Sequence, residues 1–98
     1  MHEIRIEVCS WLADKLISDH ENPLNLKVEE GTTISILLSY LSDNSKIFNE
    51  YVFNVKEKKL KEHILIFVND RYLELNGGKE RILQNGDCII IVPIMSGG

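Results

Sequence analysis

A chain of 98 residues, 44% apolar and 27% charged, has the size and composition of one globular domain with one core. Its net charge of −4, with 11 basic residues scattered among 15 acidic ones, argues against a nucleic-acid partner, which calls for a basic face. No apolar run approaches the ~18 residues of a membrane span, and Met1-His2-Glu3-Ile4-Arg5 has neither an apolar h-region nor a cleavage site, so no membrane partner and a cytoplasmic location are expected.

Residues 3–9 alternate, with Ile4, Ile6 and Val8 on one face and Glu3, Arg5 and Glu7 on the other, which predicts a half-buried strand. In residues 10–23, Trp11, Leu12, Leu16 and Ile17 suit either a short helical turn or a packed loop, and Asn22-Pro23 signals a turn. Leu24, Leu26 and Val28 alternate with Asn25, Lys27 and Glu29, giving a second strand able to pair antiparallel with the first. After the break at Gly31, Thr32 or Thr33 offers a hydroxyl to a helix start. Ile34, Leu37, Leu38 and Leu41 then follow at the spacing of an amphipathic helix ending near Asp43-Asn44, with Ser35, Ser39 and Ser42 expected on its other side.

Residues 45–63 read as a polar connection anchored by Phe48, Tyr51 and Phe53, with room for a short helix around 46–54. The run Lys56, Lys58, Lys59, Lys61 is interrupted by Glu57 and Glu62, as in a solvated segment. The unbroken apolar run from Ile64 to Val68 predicts a central strand. Asn69-Asp70 turns the chain, Tyr72–Leu75 returns as a short strand, and Asn76-Gly77-Gly78 is a further turn. Asn85-Gly86 marks a tight turn before the last strand, residues 88–92, which Pro93 is expected to end.

Strand, strand, helix, strand, short strand, strand is an α+β order: one mixed sheet of four to five strands with one main helix packed on one face. There is no internal repeat and no linker, so residues 1–98 are read as a single domain with a tail, 93–98. Cys9 and Cys88 lack zinc-ligand spacing and are expected to be reduced packing thiols, and His2, His20 and His63 share no metal or nucleophile spacing, so no metal site is expected. No phosphate-binding glycine loop is present, so no cofactor is expected on this chain. Asp87, following a glycine in a turn, is expected to cap local backbone N–H groups.

The element order matches the ubiquitin-like β-grasp fold. The segment from Leu83 through Gly86-Asp87, the apolar strand, Pro93 and Ile94-Met95-Ser96-Gly97-Gly98 resembles the C-terminal pattern of the β-grasp sulfur carriers, the molybdopterin synthase small subunit and the thiamine sulfur carrier. Glu30-Gly31-Thr32-Thr33-Ile34 and Phe67-Val68-Asn69-Asp70-Arg71 carry the same resemblance, and the proline before the di-glycine looks nearer the molybdopterin branch. Residues 10–23 and 45–63 are longer than in the most compact members, and Cys88 stands where an acidic residue is common.

The resemblance implies a protein cosubstrate and not an enzyme. By that resemblance a ubiquitin-activating-type adenylyltransferase is expected to join the Gly98 carboxylate to AMP, using ATP bound by that partner. A sulfur donor, persulfide or sulfide, is then expected to displace AMP on the route to a thiocarboxylate. An acceptor enzyme, expected to be the molybdopterin synthase large subunit, takes the sulfur. Thiamine, cysteine or tRNA thiolation, or ubiquitin-like modification of lysines, are the alternatives. Gly97 and Gly98 lack Cβ atoms and suit a narrow partner site, and Pro93, Ile94, Met95 and Ser96 are expected to line its tunnel. With nothing following Gly98 in the sequence, no proteolysis is expected. If Ile89 and Ile91 face the helix, Ile90 and Val92 face outward with Leu65 and Phe67, an apolar patch expected to dock partners unless residues 45–63 fold over it.

Overall fold

The computed structural model describes residues 1–16 and 21–94. Its elements are β1 (His2–Val8), α1 (Ser10–Leu16), β2 (Leu24–Val28), α2 (Ile34–Asp43), α3 (Lys46–Tyr51), β3 (Phe53–Asn54), β4 (Lys59–Leu60), β5 (Ile64–Val68), β6 (Arg71–Tyr72) and β7 (Cys88–Pro93). Five strands form one mixed sheet in the order β2-β1-β7-β5-β6, and β3 and β4 pair apart from it. The central pair β1–β7 is parallel, with Ile6 opposite Ile89 and Val8 opposite Ile91, and the other pairs are antiparallel.

Strand alternation puts Ile4, Ile6, Val8, Ile64, Ile66, Val68, Ile89 and Ile91 on one face of this sheet, all buried. Against them pack Ile34, Leu37, Leu38 and Leu41 of α2. The expected single main helix is joined on this side by two shorter ones. Leu12 and Leu16 of α1 and Phe48 of α3 enter the same core, as do Val52 and Phe53. Residues 45–63, read from the sequence as a polar connection with aromatic anchors, thus contribute to the inner core. Phe48 and Phe53 anchor them as expected, while Tyr51 is only half-buried. Ile17, at the end of the segment after Ser10, lies outside the described residues.

Thr33 caps α2: its Oγ1 accepts from the Ile36 N–H at 3.2 Å. Ser42 departs from expectation. It lies one turn beyond Leu38 and two beyond Ile34, on the buried stripe. Its hydroxyl donates to the Phe53 carbonyl at 2.8 Å, which satisfies both groups. The solvent side of α2 instead shows Ile36, Tyr40 and Asp43.

Two strand ends also differ from expectation. The return strand is only Arg71–Tyr72, because Leu73 turns inward to 1% exposure and Leu73–Leu75 winds into a 3₁₀ turn. Pro93 is the last residue of β7, paired with Ile64, and pairing continues to Ile94, whose N–H donates to the His63 carbonyl at 2.6 Å. Successive N–H groups alternate sides along a strand. The N–H that proline lacks therefore falls on the β1 side, where the chain has already left the sheet after Cys9 bonds Ile91.

Candidate functional site

The sheet face away from the helices is divided. On β1 and β2 it carries Glu3, Arg5, Glu7, Asn25 and Lys27, and on β7 and β5 it carries Ile90, Val92, Leu65 and Phe67. The β5–β7 register sets Leu65 opposite Val92 and Phe67 opposite Ile90. All four of these side chains are half-buried, so the patch expected from alternation is a single surface. Residues 45–63 do not cover it, since Phe48, Val52 and Phe53 belong to the core on the opposite side.

Tyr72 extends the patch, with its ring 6.1 Å from that of Phe67 and tilted at 56°. Sequence alternation alone did not point to Tyr72; the tight Asn69-Asp70 turn folds it back beside Phe67. Cys88 shares the parity of Ile90 and Val92 and continues the same row. Arg5 and Glu7, opposite Cys88 and Ile90 on the parallel neighbour, form a charged border, with Arg5 Nη2 and Glu7 Oε1 3.6 Å apart. A half-buried apolar strip bounded by charge is the composition of a protein-docking face.

The patch ends at Val92; Pro93, expected in the tunnel segment, is instead buried as the last paired residue of β7, opposite Ile64. Ile94 is 43% exposed and tied to His63 through the backbone. Met95, Ser96, Gly97 and Gly98, the remainder of the expected tunnel segment, lie outside the described residues, as does His20.

The start of β7 is held by a buried polar cluster. Asp87 Oδ2 accepts from Arg81 Nη1 at 2.7 Å and from the Gln84 N–H at 2.7 Å, and Oδ1 accepts from Asn69 Nδ2 at 2.7 Å. The expected cap is the Gln84 contact; Arg81 and Asn69 are brought in by the fold, six and eighteen residues away in sequence. Burial pushes the Asp87 carboxyl up. The Arg81 guanidinium, the Gln84 N–H and the Asn69 amide outweigh that and hold it below the usual carboxylate range. Asn69 closes the cluster on β7, where its Oδ1 accepts from the Cys88 N–H at 2.9 Å. Asn85 and Gly86 fasten the same turn to β1: Asn85 Oδ1 accepts from the Glu3 N–H at 2.7 Å and the Gly86 N–H donates to the Glu3 carbonyl at 2.8 Å. Gly86 sits at φ +88°, a conformation that glycine adopts at little cost.

Cys9 and Cys88 are free thiols, and burial, with the charge of Glu7, pushes the Cys9 thiol up. Among the described residues no three His, Cys, Asp or Glu side chains are placed to hold a metal ion. No helix among them is long and apolar enough to cross a membrane.

Comparison with known proteins agrees with this architecture. A family model described as the ThiS family matches residues 18–98. The ubiquitin-related modifier 1 homolog of Chlamydomonas reinhardtii is 24% identical over 100 residues, spanning 100% of both chains. Urm1 from Trypanosoma brucei superposes with a TM-score of 0.78 at 20% identity, over 99% of this chain and 96% of that one. A putative molybdopterin converting factor, subunit 1, from Pyrococcus furiosus gives a TM-score of 0.73 at 18% identity, over 97% of this chain and 100% of that one. These likenesses establish the ubiquitin-like β-grasp fold. With the family model covering most of its length, the chain belongs to the ThiS family of small β-grasp sulfur carriers and ubiquitin-like modifiers, which are not themselves enzymes.

Proposed function

We propose that this protein is a sulfur carrier whose working group is the carboxyl of Gly98. The observation that carries the reading is spatial: the apolar strip of Leu65, Phe67, Ile90 and Val92 runs along β5 and β7 to the strand end from which Met95–Gly98 continue. The family match, which extends through Gly98, supports it.

A ubiquitin-activating-type enzyme docks on this strip and receives Met95 to Gly98 in its channel. The Gly98 carboxylate attacks the α-phosphorus of ATP bound by that enzyme, giving the acyl adenylate and pyrophosphate. Sulfide then attacks the acyl carbon, AMP leaves with the bonding pair, and the thiocarboxylate forms without change of oxidation state. A persulfide donor instead gives an acyl disulfide, and a thiol supplies the two electrons that release the thiocarboxylate. The same apolar strip then docks the acceptor enzyme. In this account the chain contributes a recognisable surface and a pair of glycines slim enough for a narrow site. The partners contribute the catalytic groups and the nucleotide site.

For the acceptor we favour the molybdopterin synthase large subunit, as the position of Pro93 and the likeness to the Pyrococcus furiosus protein suggest. A second reading has its own support. The Chlamydomonas relative that matches end to end is named a ubiquitin-related modifier. In that reading the activated Gly98 carbonyl passes to a lysine amine, forming an isopeptide bond and releasing AMP.

The test is pyrophosphate release by the cognate activating enzyme with ATP. Release is expected to require this chain and to vanish when Gly98 is removed. Equal release with and without Gly98 would refute the carrier reading and the modifier reading together. Supplying sulfide and an acceptor lysine then separates the two.

A further inference from the structure

A groove of about 800 Å³ opens beside the end of β7, and nothing proposed above uses it. Its apolar lining is Trp11, Tyr51, Leu60, Ile64 and Ile94, and its rim includes Glu50, Glu62, Lys59 and Lys61. The aromatic wall is already set. Trp11 and Tyr51 meet edge to face at 6.0 Å, and Lys15 Nζ lies 5.1 Å from the Tyr51 ring centroid. An aromatic floor inside a charged rim is the anatomy of a pocket that takes one anchoring apolar side chain and excludes water around it.

The short reach from Ile94 to Gly98 ties this groove to the reacting end. Gly98 is four residues beyond Ile94. An extended chain spans at most ~3.3–3.6 Å per residue, so the Gly98 Cα can be no farther than about 14 Å from that of Ile94. The reach cannot be extended by peeling β7 from the sheet without breaking the 2.6 Å bond from the Ile94 N–H to the His63 carbonyl. An enzyme that encloses the Gly98 carboxyl therefore presses its channel mouth against the surroundings of Ile94. Those surroundings have two sides. One is the apolar strip ending at Val92, and the other is the groove, of which Ile94 is itself a wall.

We infer that this groove is a second contact for the enzyme that activates Gly98, taking an apolar side chain from the rim of that enzyme's channel. The inference rests on the reading of Gly98 as the working group. The sheet face supplies a broad contact, and the groove, built from α1, α3 and the β3–β4 pair, supplies one directed contact next to the reacting end. The mixed rim of carboxylates and amines sets the orientation of the incoming loop while the apolar floor provides the affinity.

Trp11 is the sole tryptophan, which makes the groove directly observable. The chain labelled with 5-fluorotryptophan gives one fluorine resonance, and unlabelled cognate activating enzyme is titrated in without nucleotide. The resonance is expected to shift. Leu60→Glu, checked for an unchanged circular dichroism spectrum, is expected to raise the KM for this chain by about tenfold while kcat is kept within about twofold, the signature of a lost anchoring contact. An enzyme that adenylates the chain yet leaves the Trp11 resonance in place overturns the groove contact and spares the Gly98 reading. So does an unchanged KM for folded Leu60→Glu. If Leu60→Glu does not fold, the fluorine titration of the unaltered chain decides alone. Failure of the enzyme to adenylate the unaltered chain at all overturns both.

Discussion

Asp87 is the residue on which the β7 end of the sheet depends. The residue is 4% exposed, and its carboxylate is satisfied by a guanidinium, an amide and a backbone N–H, all at 2.7 Å. Removing it by Asp87→Ala leaves Arg81 half of a broken buried pair, and a loss of about 3 kcal/mol is expected by denaturant unfolding at neutral pH. The pH dependence has a definite sign. The folded-state pKa is depressed, so the unfolded chain binds the proton more readily. This contribution is complete above the ordinary carboxylate value of about 4 and is lost as pH falls through the lower folded value. Denaturation midpoints measured on acidification should fall more steeply for the unaltered chain than for Asp87→Asn, and parallel curves would contradict the assignment. The Gly86-Asp87 pair was legible in the sequence as a turn with a local cap. Arg81 and Asn69 were not, because they reach Asp87 only after β5 has paired with β7.

At the scale of elements, α2 shows where patterning suffices and where it does not. The Ile34, Leu37, Leu38, Leu41 stripe and the Thr33 cap follow from spacing and hydroxyl chemistry alone. The three serines look alike in sequence but differ in the fold. Ser42 lies on the buried stripe with its hydroxyl on the Phe53 carbonyl, while Ser39 Oγ is buried and finds no hydrogen-bond partner among the described residues. Ser42→Ala strands a buried carbonyl and is expected to cost about 1–2 kcal/mol. Ser39→Ala removes an unsatisfied hydroxyl and adds helix propensity, so it is expected to raise stability by about 0.5–1 kcal/mol. Thermal unfolding of the two single variants checks both, and a loss for Ser39→Ala would refute the second. The same limit left α1 open between a helical turn and a loop and hid the packing of α3. Segments of seven and six residues are too short for a helical period to stand out, and Leu12, Leu16 and Phe48 are recognised as core only once the sheet is assembled. Pro93 was misplaced by one position because a missing N–H matters only on a side where a neighbour waits to accept it.

The whole molecule separates its tasks by face and by end. One side of the sheet carries the helices and the core. The other is charged along β1 and β2 and apolar along β5 and β7. The Asp87 cluster stabilises one end of β7, and the other end leads to the Gly97-Gly98 segment. Strand alternation revealed the apolar strip from sequence, and the β5–β7 register joined its four members into one surface. The groove beside Ile94 was not legible, since it is assembled from α1, α3 and the β3–β4 pair, distant in sequence from the tail. The central claim is that Gly98 carries sulfur, and it is tested most directly by the intact mass of the untagged protein purified from its own cells. The account predicts a species heavier by the exchange of one oxygen for one sulfur, with fragmentation mapping the change to Gly98. A chain found only as the free carboxylate, even after incubation with the cognate activating enzyme, ATP and a sulfur donor, would contradict it.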